Sequence, residues 1–600
     1  MSRTKIFNPS SAIRYTDRDF TSIKNSLVQF AKRYYPDTFQ DFTAASFGSL
    51  VMDMESYIGD ILSFYVDYSF NESMLDTAIE LNNIIRHGKI FGYKTATGYS
   101  SYGTIAMFIS VPASTTGLGP DEDYIPKARH GSQFSTPDSR TFILTHDVDF
   151  NVGSEVRVGK VDPQTGAPLN YIFKNYGKVV SGTITQESYT VGTYEQFTKI
   201  YLEDPNVAEV ISVVDSEGNE YYEVGNLSQN TIYAELTNTS SSTPPMLLKP
   251  IIAARRFVFE QDGGGHYLQF GSGSDSVLTE ELVNDPQSLV LNMTGKNYIS
   301  DTSLDPTQLV QNDKFGISPE NTTLTIVYRT NSFENVNVGV SGLNEVSFAD
   351  MHFQDGANLD PELTSFTTSS LTIENEEPIV GYVLTEDAAE LKQRIYGSFS
   401  SQKRAVTDKD YKTLAFQMPA KFGAVRRVNV APNPSASLKS EINIYVLSQD
   451  ENSRLTEANT AIKENLKNWI SQFKMISDNV NIVDGYIVNL GIDFEIVVAK
   501  NVDRYQVLSE AVQSLVDYYT YIDEMGEDFM ITDIYKELDK TEGILDVSKV
   551  HLRQQKGTGY ASTRFDLHQQ LSSDHRSISV PKNVVIEVKY PDQDIQGTIK

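Results

Sequence analysis

The chain has 600 residues, more than one hydrophobic core usually organises, so we expect roughly three to five domains. Hydrophobic residues make up 40% of the sequence and charged residues 22%, as in ordinary folded proteins. The formal net charge of −29 argues against a broad nucleic-acid-binding role, because that role depends on Lys and Arg neutralising phosphates.

The sequence contains no cysteine, which excludes disulfides, thiolate catalysis and cysteine-ligated zinc. The first twenty or so residues lack the apolar core of a signal peptide. No run of about 18 apolar residues occurs, so we expect no membrane span. Synthesis in a cytoplasm is the resulting expectation.

Residues 1–94 are predicted to form a helical assembly region. Its strongest pattern is an apolar stripe with steps of three, one and three residues, typical of one continuous helix. The stripe, called the helical seam below, comprises Phe47, Leu50, Val51, Met54, Tyr57, Ile58, Ile61, Leu62 and Tyr65. Further apolar residues follow at Phe64, Val66, Tyr68 and Phe70. The pattern fits either a self-contained helical bundle or a seam that partly packs on another chain.

Short alternating strands replace this pattern from about residue 95. Residues 95–150 and 251–370 are predicted to form a central β domain, and residues 151–250 an inserted β-rich domain. Residues 371–440 are predicted to be a helical connector. The fold class predicted for the whole chain is a multidomain α+β protein.

The C-terminal part has a clearer pattern. Residues 441–555 follow the order βαββαβ, which is typical of a ferredoxin-like domain. Residues 556–600 are predicted to be a polar C-terminal tail with one further strand near Asn583–Tyr590.

Motifs for chemistry are missing from the sequence. The eight histidines are scattered without metal-ligand spacing, and no GxSxG, GxxxxGK[ST] or GxGxxG motif occurs. The acidic clusters at 121–123 and 523–528 lack the ligand spacing of a calcium loop. We therefore predict no catalytic residue, no metal site and no cofactor. A carbohydrate-binding or carbohydrate-cleaving protein is the alternative, although the single Trp469 lies on an apolar helical stripe.

Several stretches, in their order along the chain, resemble the baseplate-J-like family, the wedge proteins of contractile phage tails. These stretches are Tyr15–Ala78 with Arg86–Lys94, then Ile125–Phe150, His266–Gly273, Thr323–Ser332 and Arg404–Val430. None of them is a catalytic motif. Residues 151–250 and the tail after residue 556 depart from the family pattern.

The resemblance implies a structural role rather than a reaction. Such a subunit pairs with itself, joins other wedge subunits, closes a ring around the tail hub and rearranges to trigger sheath contraction. It would be made in the host cytoplasm and reside in the virion, with no nucleic-acid, membrane or small-molecule partner. Residues 441–555 would be its dimerisation domain. A scaffold subunit of a related contractile injection machine fits the same pattern.

A ring that rearranges needs hinges between rigid domains. The candidates are the loop 239–245, the segment Glu374–Pro378, and the segment Ala431–Ser437 with Pro432 and Pro434. Each lies between regions of different pattern, although rigid surface loops would have the same composition.

Overall fold

Helices and strands both occur throughout the described residues, which confirms the predicted α+β class. The computed structural model describes residues 19–37, 41–43, 46–95, 99–114, 119–237, 246–262, 265–274, 315–331, 335–383, 388–433, 441–500, 502–519 and 524–600. The helices are α1 (Phe20–Tyr34), α2 (Phe47–Glu72), α3 (Leu81–Ile90), α4 (Pro361–Ser369), α5 (Ala388–Ser401), α6 (Asp408–Phe416), α7 (Thr460–Ser471), α8 (Arg504–Tyr519), α9 (Ile531–Asp539), α10 (Leu567–Gln570) and α11 (Pro591–Asp594).

The strands are β1 (Tyr102–Pro112), β2 (Lys127–Ala128), β3 (Gln133–Ser135), β4 (Thr141–Leu144), β5 (Val148–Asp149), β6 (Glu155–Val158), β7 (Asn170–Ser181), β8 (Thr183–Thr190), β9 (Lys199–Tyr201), β10 (Val207–Val214), β11 (Glu220–Glu223), β12 (Thr231–Thr237), β13 (Met246–Ile252), β14 (Arg256–Asp262), β15 (Gly265–Phe270), β16 (Thr323–Thr330), β17 (Glu345–Phe348), β18 (Met351–His352), β19 (Thr372–Glu374), β20 (Arg427–Pro432), β21 (Glu441–Gln449), β22 (Leu455–Thr456), β23 (Asn479–Asp484), β24 (Tyr486–Val498), β25 (Phe529–Met530), β26 (Ile544–Gln554), β27 (Ser577–Ile578), β28 (Val584–Glu587) and β29 (Ile595–Ile599).

Two sheets form the centre of the chain. The first has the order β17-β3-β4-β7-β1-β19, with β6 added to β7, and the second has the order β8-β16-β10-β11-β14-β15-β9. Alternate residues of β1 (Ile105, Met107, Ile109) are buried in the core of the first sheet, as the period of two along a strand requires. Leu324 and Ile326 of β16 are buried in the core of the second sheet.

The two sheets divide the chain at positions other than the expected boundaries at 150/151 and 250/251. Strand β7 pairs with β1 from Tyr102↔Val180 to Pro112↔Asn170, so it belongs to the first sheet although it lies within 151–250. Strands β14, β15 and β16 lie beyond residue 250 and belong to the second sheet. Local periodicity shows which segments are extended, but it does not show which distant strand each one pairs with.

A buried arginine connects the two sheets. Arg329 of β16 donates from Nε to Glu209 Oε1 (3.1 Å) and from Nη1 to Ser100 Oγ (2.9 Å). Nearby, Ser101 Oγ donates to Asn337 Oδ1 (2.6 Å), and Asn331 Nδ2 donates to the carbonyl of Tyr99 (3.0 Å). These bonds join the residues just before β1 of the first sheet to β16 of the second sheet and to the segment that follows β16.

Among the C-terminal elements, β21, α7, β23, β24, α8 and β26 follow the predicted order βαββαβ, and β22, β25 and α9 lie between them. Strand β21 pairs with β20 and β22, and in parallel with β23, whereas β24 pairs with β26, β28 and β29. The predicted strands therefore divide between two sheets, so a single ferredoxin-like sheet is not confirmed and stays a prediction. The further strand expected near Asn583–Tyr590 is confirmed as β28. Together with β29, it brings the polar tail into the sheet of β24.

Candidate assembly surface

Helices α1 and α2 each begin at a capping side chain that the sequence supplies. Asp19 accepts a hydrogen bond from the amide of Ser22 (2.8 Å), and Ser46 Oγ accepts one from the amide of Ser49 (3.1 Å). Helix α2 has 26 residues, which corresponds to a length of about 39 Å. The helical seam predicted from the sequence lies entirely on this helix.

The buried face of α2 includes small residues, and Gly59 among them lies against α1. Ser49 and Ser56 are buried, and a Cβ atom at Gly59 would lie 3.1 Å from Ile23 Cδ1 of α1. Beside this contact, Lys24 Nζ of α1 lies 2.5 Å from Asp53 Oδ1 of α2. Small side chains allow the two helices to approach closely, and the bulky apolar side chains of α2 consequently point elsewhere.

The helical seam is exposed on the monomer. Eight of its nine residues are exposed, from 42% for Val51 to 80% for Phe47, and Ile61 is half-buried. The additional residues Phe64, Val66 and Tyr68 are exposed as well. Contiguous exposed apolar surfaces of this extent are typical of interaction sites, so the seam is a candidate assembly surface.

Helix α1 carries exposed aromatic rings of its own. Phe30, Tyr34 and Tyr35 are all exposed, and the ring centroids of Phe30 and Tyr34 are 4.7 Å apart. The sequence places Phe30 and Tyr34 at helical spacing after Ile23 and Leu27, which suggests one common packing face. In the structure Ile23 and Leu27 are half-buried while Phe30 and Tyr34 are exposed, so the same stripe changes from core to surface along the helix.

The end of α2 is tied to α3 through the buried carboxylate of Glu72. It accepts hydrogen bonds from the amide of Ile79 (2.8 Å) and from Asn83 Nδ2 (2.9 Å). Burial acts to raise the pKa of Glu72, but the hydrogen bonds from Asn83, Ile79 and Glu80 outweigh it and hold the pKa below its ordinary value.

Helix α3 anchors the helical region to the rest of the molecule. Ile84 of α3 packs in one cluster with Leu391 and Ile395 of α5. The absence of a side chain at Gly88 makes room for Ile395, whose Cδ1 atom would lie 3.0 Å from an added Cβ. Lys89 Nζ donates to Tyr267 OH of β15 (2.9 Å). The exposed seam is therefore carried by a helical unit that is firmly attached to the β domains.

Two of the three proline hinge candidates lie within the described residues. The carbonyl of Pro378 accepts a hydrogen bond from Asn459 Nδ2 (2.9 Å), and the segment before it is held by the buried side chain of Asn375. Pro432 is the last residue of β20, opposite Ile442. Pro434 and the loop 239–245 lie outside the described residues. The hinge assignments stay predictions.

The described residues offer little for chemistry. Among them, no group of three or more His, Asp or Glu side chains is arranged to hold a metal ion. In the same part of the chain, none of the helices combines the length and apolar character needed to cross a membrane. The helical seam is the candidate functional surface within the described residues.

Residues 19–90 match the family described as "Bacteriophage baseplate protein, N-terminal domain". This segment runs from the N-cap of α1 to the end of α3, so it is the unit that carries the helical seam. The match supports a phage-type baseplate protein with a structural role.

No curated protein matches the sequence significantly. One similar solved structure is described as "Cryo-EM structure of the anti-feeding prophage (AFP) baseplate, 6-fold symmetrised". The chains share 10% identity, and the alignment covers 96% of this chain and 99% of that one with a TM-score of 0.27. A TM-score this low gives the likeness no weight for fold or function.

Proposed function

We propose that the chain is a wedge subunit of a phage-type contractile baseplate, which joins other wedge subunits and closes a ring around the tail hub. On this proposal the ring rearranges and triggers sheath contraction. The observation that carries the proposal is the coincidence of two features in one segment. The residues that match baseplate proteins are those that present an uncovered apolar helix surface.

The spacing of the residues along the seam supports helix-to-helix assembly. Phe47, Leu50, Met54, Tyr57 and Ile61 alternate steps of three and four residues, the spacing of a coiled-coil seam. Burying the exposed parts of the seam would contribute on the order of 10 kcal/mol before the cost of association. The cost of association is of similar size, so this burial favours assembly without setting its strength, and it agrees with a role that depends on contacts.

The test is the substitution Ile58→Asp on the seam. Ile58 is 50% exposed, so we expect the variant to fold normally but not to enter particles, because a carboxylate cannot be buried in an apolar helix interface. Ile211→Asp on β10 is the matched control, since Ile211 is 49% exposed. The measurement is the amount of each variant in purified particles, by mass spectrometry, beside circular dichroism of the free protein.

Normal incorporation of the Ile58 variant would contradict the assembly role of the seam. Unfolding of the free variant would instead indicate that the seam belongs to the core of a self-contained helical unit. Equal exclusion of both variants from particles would also count against a specific interface on α2.

The proposal includes self-association through the C-terminal elements. Residues 441–555 are proposed as the dimerisation domain, but β28 and β29 of the tail pair with β24, so the test requires the full chain. Sedimentation velocity should then give a dimer. A strictly monomeric chain at high concentration, with no contact between two C-terminal units in the particle, would contradict this part.

The rearrangement itself rests on the hinge candidates Pro378 and Pro432, with Pro434 and the loop 239–245 outside the described residues. Maps of the particle before and after contraction should show the flanking domains in two relative orientations. A scaffold role in a related contractile machine would rely on the same contacts, and the nature of the purified particle distinguishes the two.

A further inference from the structure

A groove with a basic rim lies beside the C-terminal end of β26. It has a volume of about 550 Å³ and is formed between β26 and the segment that leads into α10. Four side chains that carry or can carry positive charge line it: His551, Lys556, Arg564 and His568. All four residues are exposed. Such a concentration of basic groups is unexpected in a chain with 79 acidic and 50 basic residues.

The rim side chains have no partner within the described part of the chain. Other basic residues in this region are engaged: Arg553 Nε lies 3.4 Å from Asp493 Oδ2, and Lys540 Nζ lies 2.7 Å from Glu537 Oε2. The carboxylate that lines the groove, Asp566, accepts hydrogen bonds from the amides of His568 (3.0 Å) and Gln569 (3.4 Å). Asp566 therefore neutralises only part of the positive charge that the groove presents.

The floor of the groove is apolar. Leu552, Phe565 and Leu567 line it and pack, partly buried, against the core of the β24 sheet. Gln554 Nε2 donates to the carbonyl of Thr563 (2.7 Å), which fixes the segment opposite β26. An apolar floor under a basic rim suits a peptide with apolar and acidic side chains better than a phosphate backbone.

Strand β26 also has a free edge next to the groove. In the described residues it pairs with β24 on one side, and no further strand lies on the other. The pairing of β26 with β24 shifts in register next to Ile496 and Val498 of β24. It is continuous from Lys549 to Gln554 of β26. Bulges protect sheet edges from pairing, whereas a regular edge can accept an added strand. The regular half is the half that borders the groove.

We propose that the groove and the adjoining edge of β26 bind an extended acidic segment of a partner protein. The partner strand would pair with Lys549–Gln554, its carboxylates would face the basic rim, and its apolar side chains would contact the floor. The site is separate from the helical seam. The inference does not depend on the proposed baseplate role and therefore goes beyond it.

The experiment uses the purified full chain and a fluorescent octapeptide of alternating glutamate and isoleucine, with binding followed by anisotropy. The double variant Lys556→Glu/Arg564→Glu should bind at least about tenfold more weakly, because it replaces two attractive charges by repulsive ones. The control Lys536→Glu/Lys540→Glu makes the same change in net charge on α9, outside the groove, and should bind like the unaltered chain.

A second readout separates strand addition from simple charge attraction. Hydrogen exchange of the amides from Lys549 to Gln554 should slow when the peptide binds. The inference is overturned if the unaltered chain does not bind the peptide at millimolar concentration, or if the groove variant and the control bind it equally. It is also overturned if an octapeptide of alternating lysine and isoleucine binds as tightly, or if exchange along β26 does not change.

Discussion

At the junction of α2 and α3, the buried carboxylate of Glu72 takes the place of a missing helix cap. Glu80 stands at the N-cap of α3 but its side chain makes no capping bond. The carboxylate of Glu72 instead accepts from the amides of Ile79 and Glu80, and its backbone carbonyl is hydrogen-bonded to His87 Nε2 (3.0 Å). One residue therefore fixes the turn that joins the exposed helix to its anchor.

We expect Glu72→Gln to loosen this turn by roughly 1–3 kcal/mol, because hydrogen bonds to a charged acceptor are replaced by weaker ones. Hydrogen exchange at Ile79 and Glu80 should become faster at neutral pH. The lowered pKa means that the contribution is present above the ordinary glutamate value and is lost as pH falls through the folded value. Glu80→Gln is the control, and an equal effect of the two variants would refute the capping role.

Glu587 lies where the two C-terminal sheets meet. Its Oε1 atom accepts from the amide of Leu455 of β22 (3.1 Å), and its Oε2 atom accepts from Asn489 Nδ2 of β24 (3.1 Å). Burial raises its pKa to about 7, against the lowering effect of these hydrogen bonds and of Lys589. A carboxyl group that remains protonated so far above its usual range makes the contact between the sheets sensitive to pH.

The C-terminal unit should lose stability as pH rises from about 4.5 to about 7, since the unfolded chain binds fewer protons than the folded chain in this window. The loss should be on the order of 3 kcal/mol. In Glu587→Gln, hydrogen exchange in β24 and β28 should become independent of pH over this range, once corrected for intrinsic rates. An unchanged pH dependence in the variant would assign the effect to another group.

At the scale of the element, the small residues of α2 determine which face of the helix packs on α1. Gly59→Leu should separate α1 from α2 and cost about 1–3 kcal/mol, because the added side chain would meet Ile23. Tyr57→Leu is the control on the exposed face of the same helix. The measurement is the rate of proteolysis within α1, and equal rates in the two variants would contradict the packing described for this face.

The sequence allowed α2 to be predicted because its apolar residues follow helical spacing without interruption. It did not reveal whether the seam faces inward, because an exposed interface and a core have the same pattern. The sequence also did not show how the strands divide between the two sheets, because β7 pairs with β1, which lies far from it along the chain. The basic groove was missed because His551 and Arg564 come together only after β26 and the following segment fold.

For the whole molecule, the structure combines firm internal connections with uncovered surfaces. Arg329 joins the two central sheets, and Ile84 of α3 packs against α5. Two uncovered surfaces among the described residues are the seam on α2 and the groove beside β26. A subunit that acts through contacts needs this combination, because its interfaces must be presented in fixed relative positions before partners arrive.

A cryo-EM map of the purified particle, at side-chain resolution, tests the central claim most directly. We predict that the chain lies in the baseplate and that Leu50, Met54 and Ile58 of α2 are covered by helices of neighbouring subunits. The account is contradicted if the chain is absent from the baseplate, or if it is present and the seam on α2 remains exposed to solvent in the assembled particle.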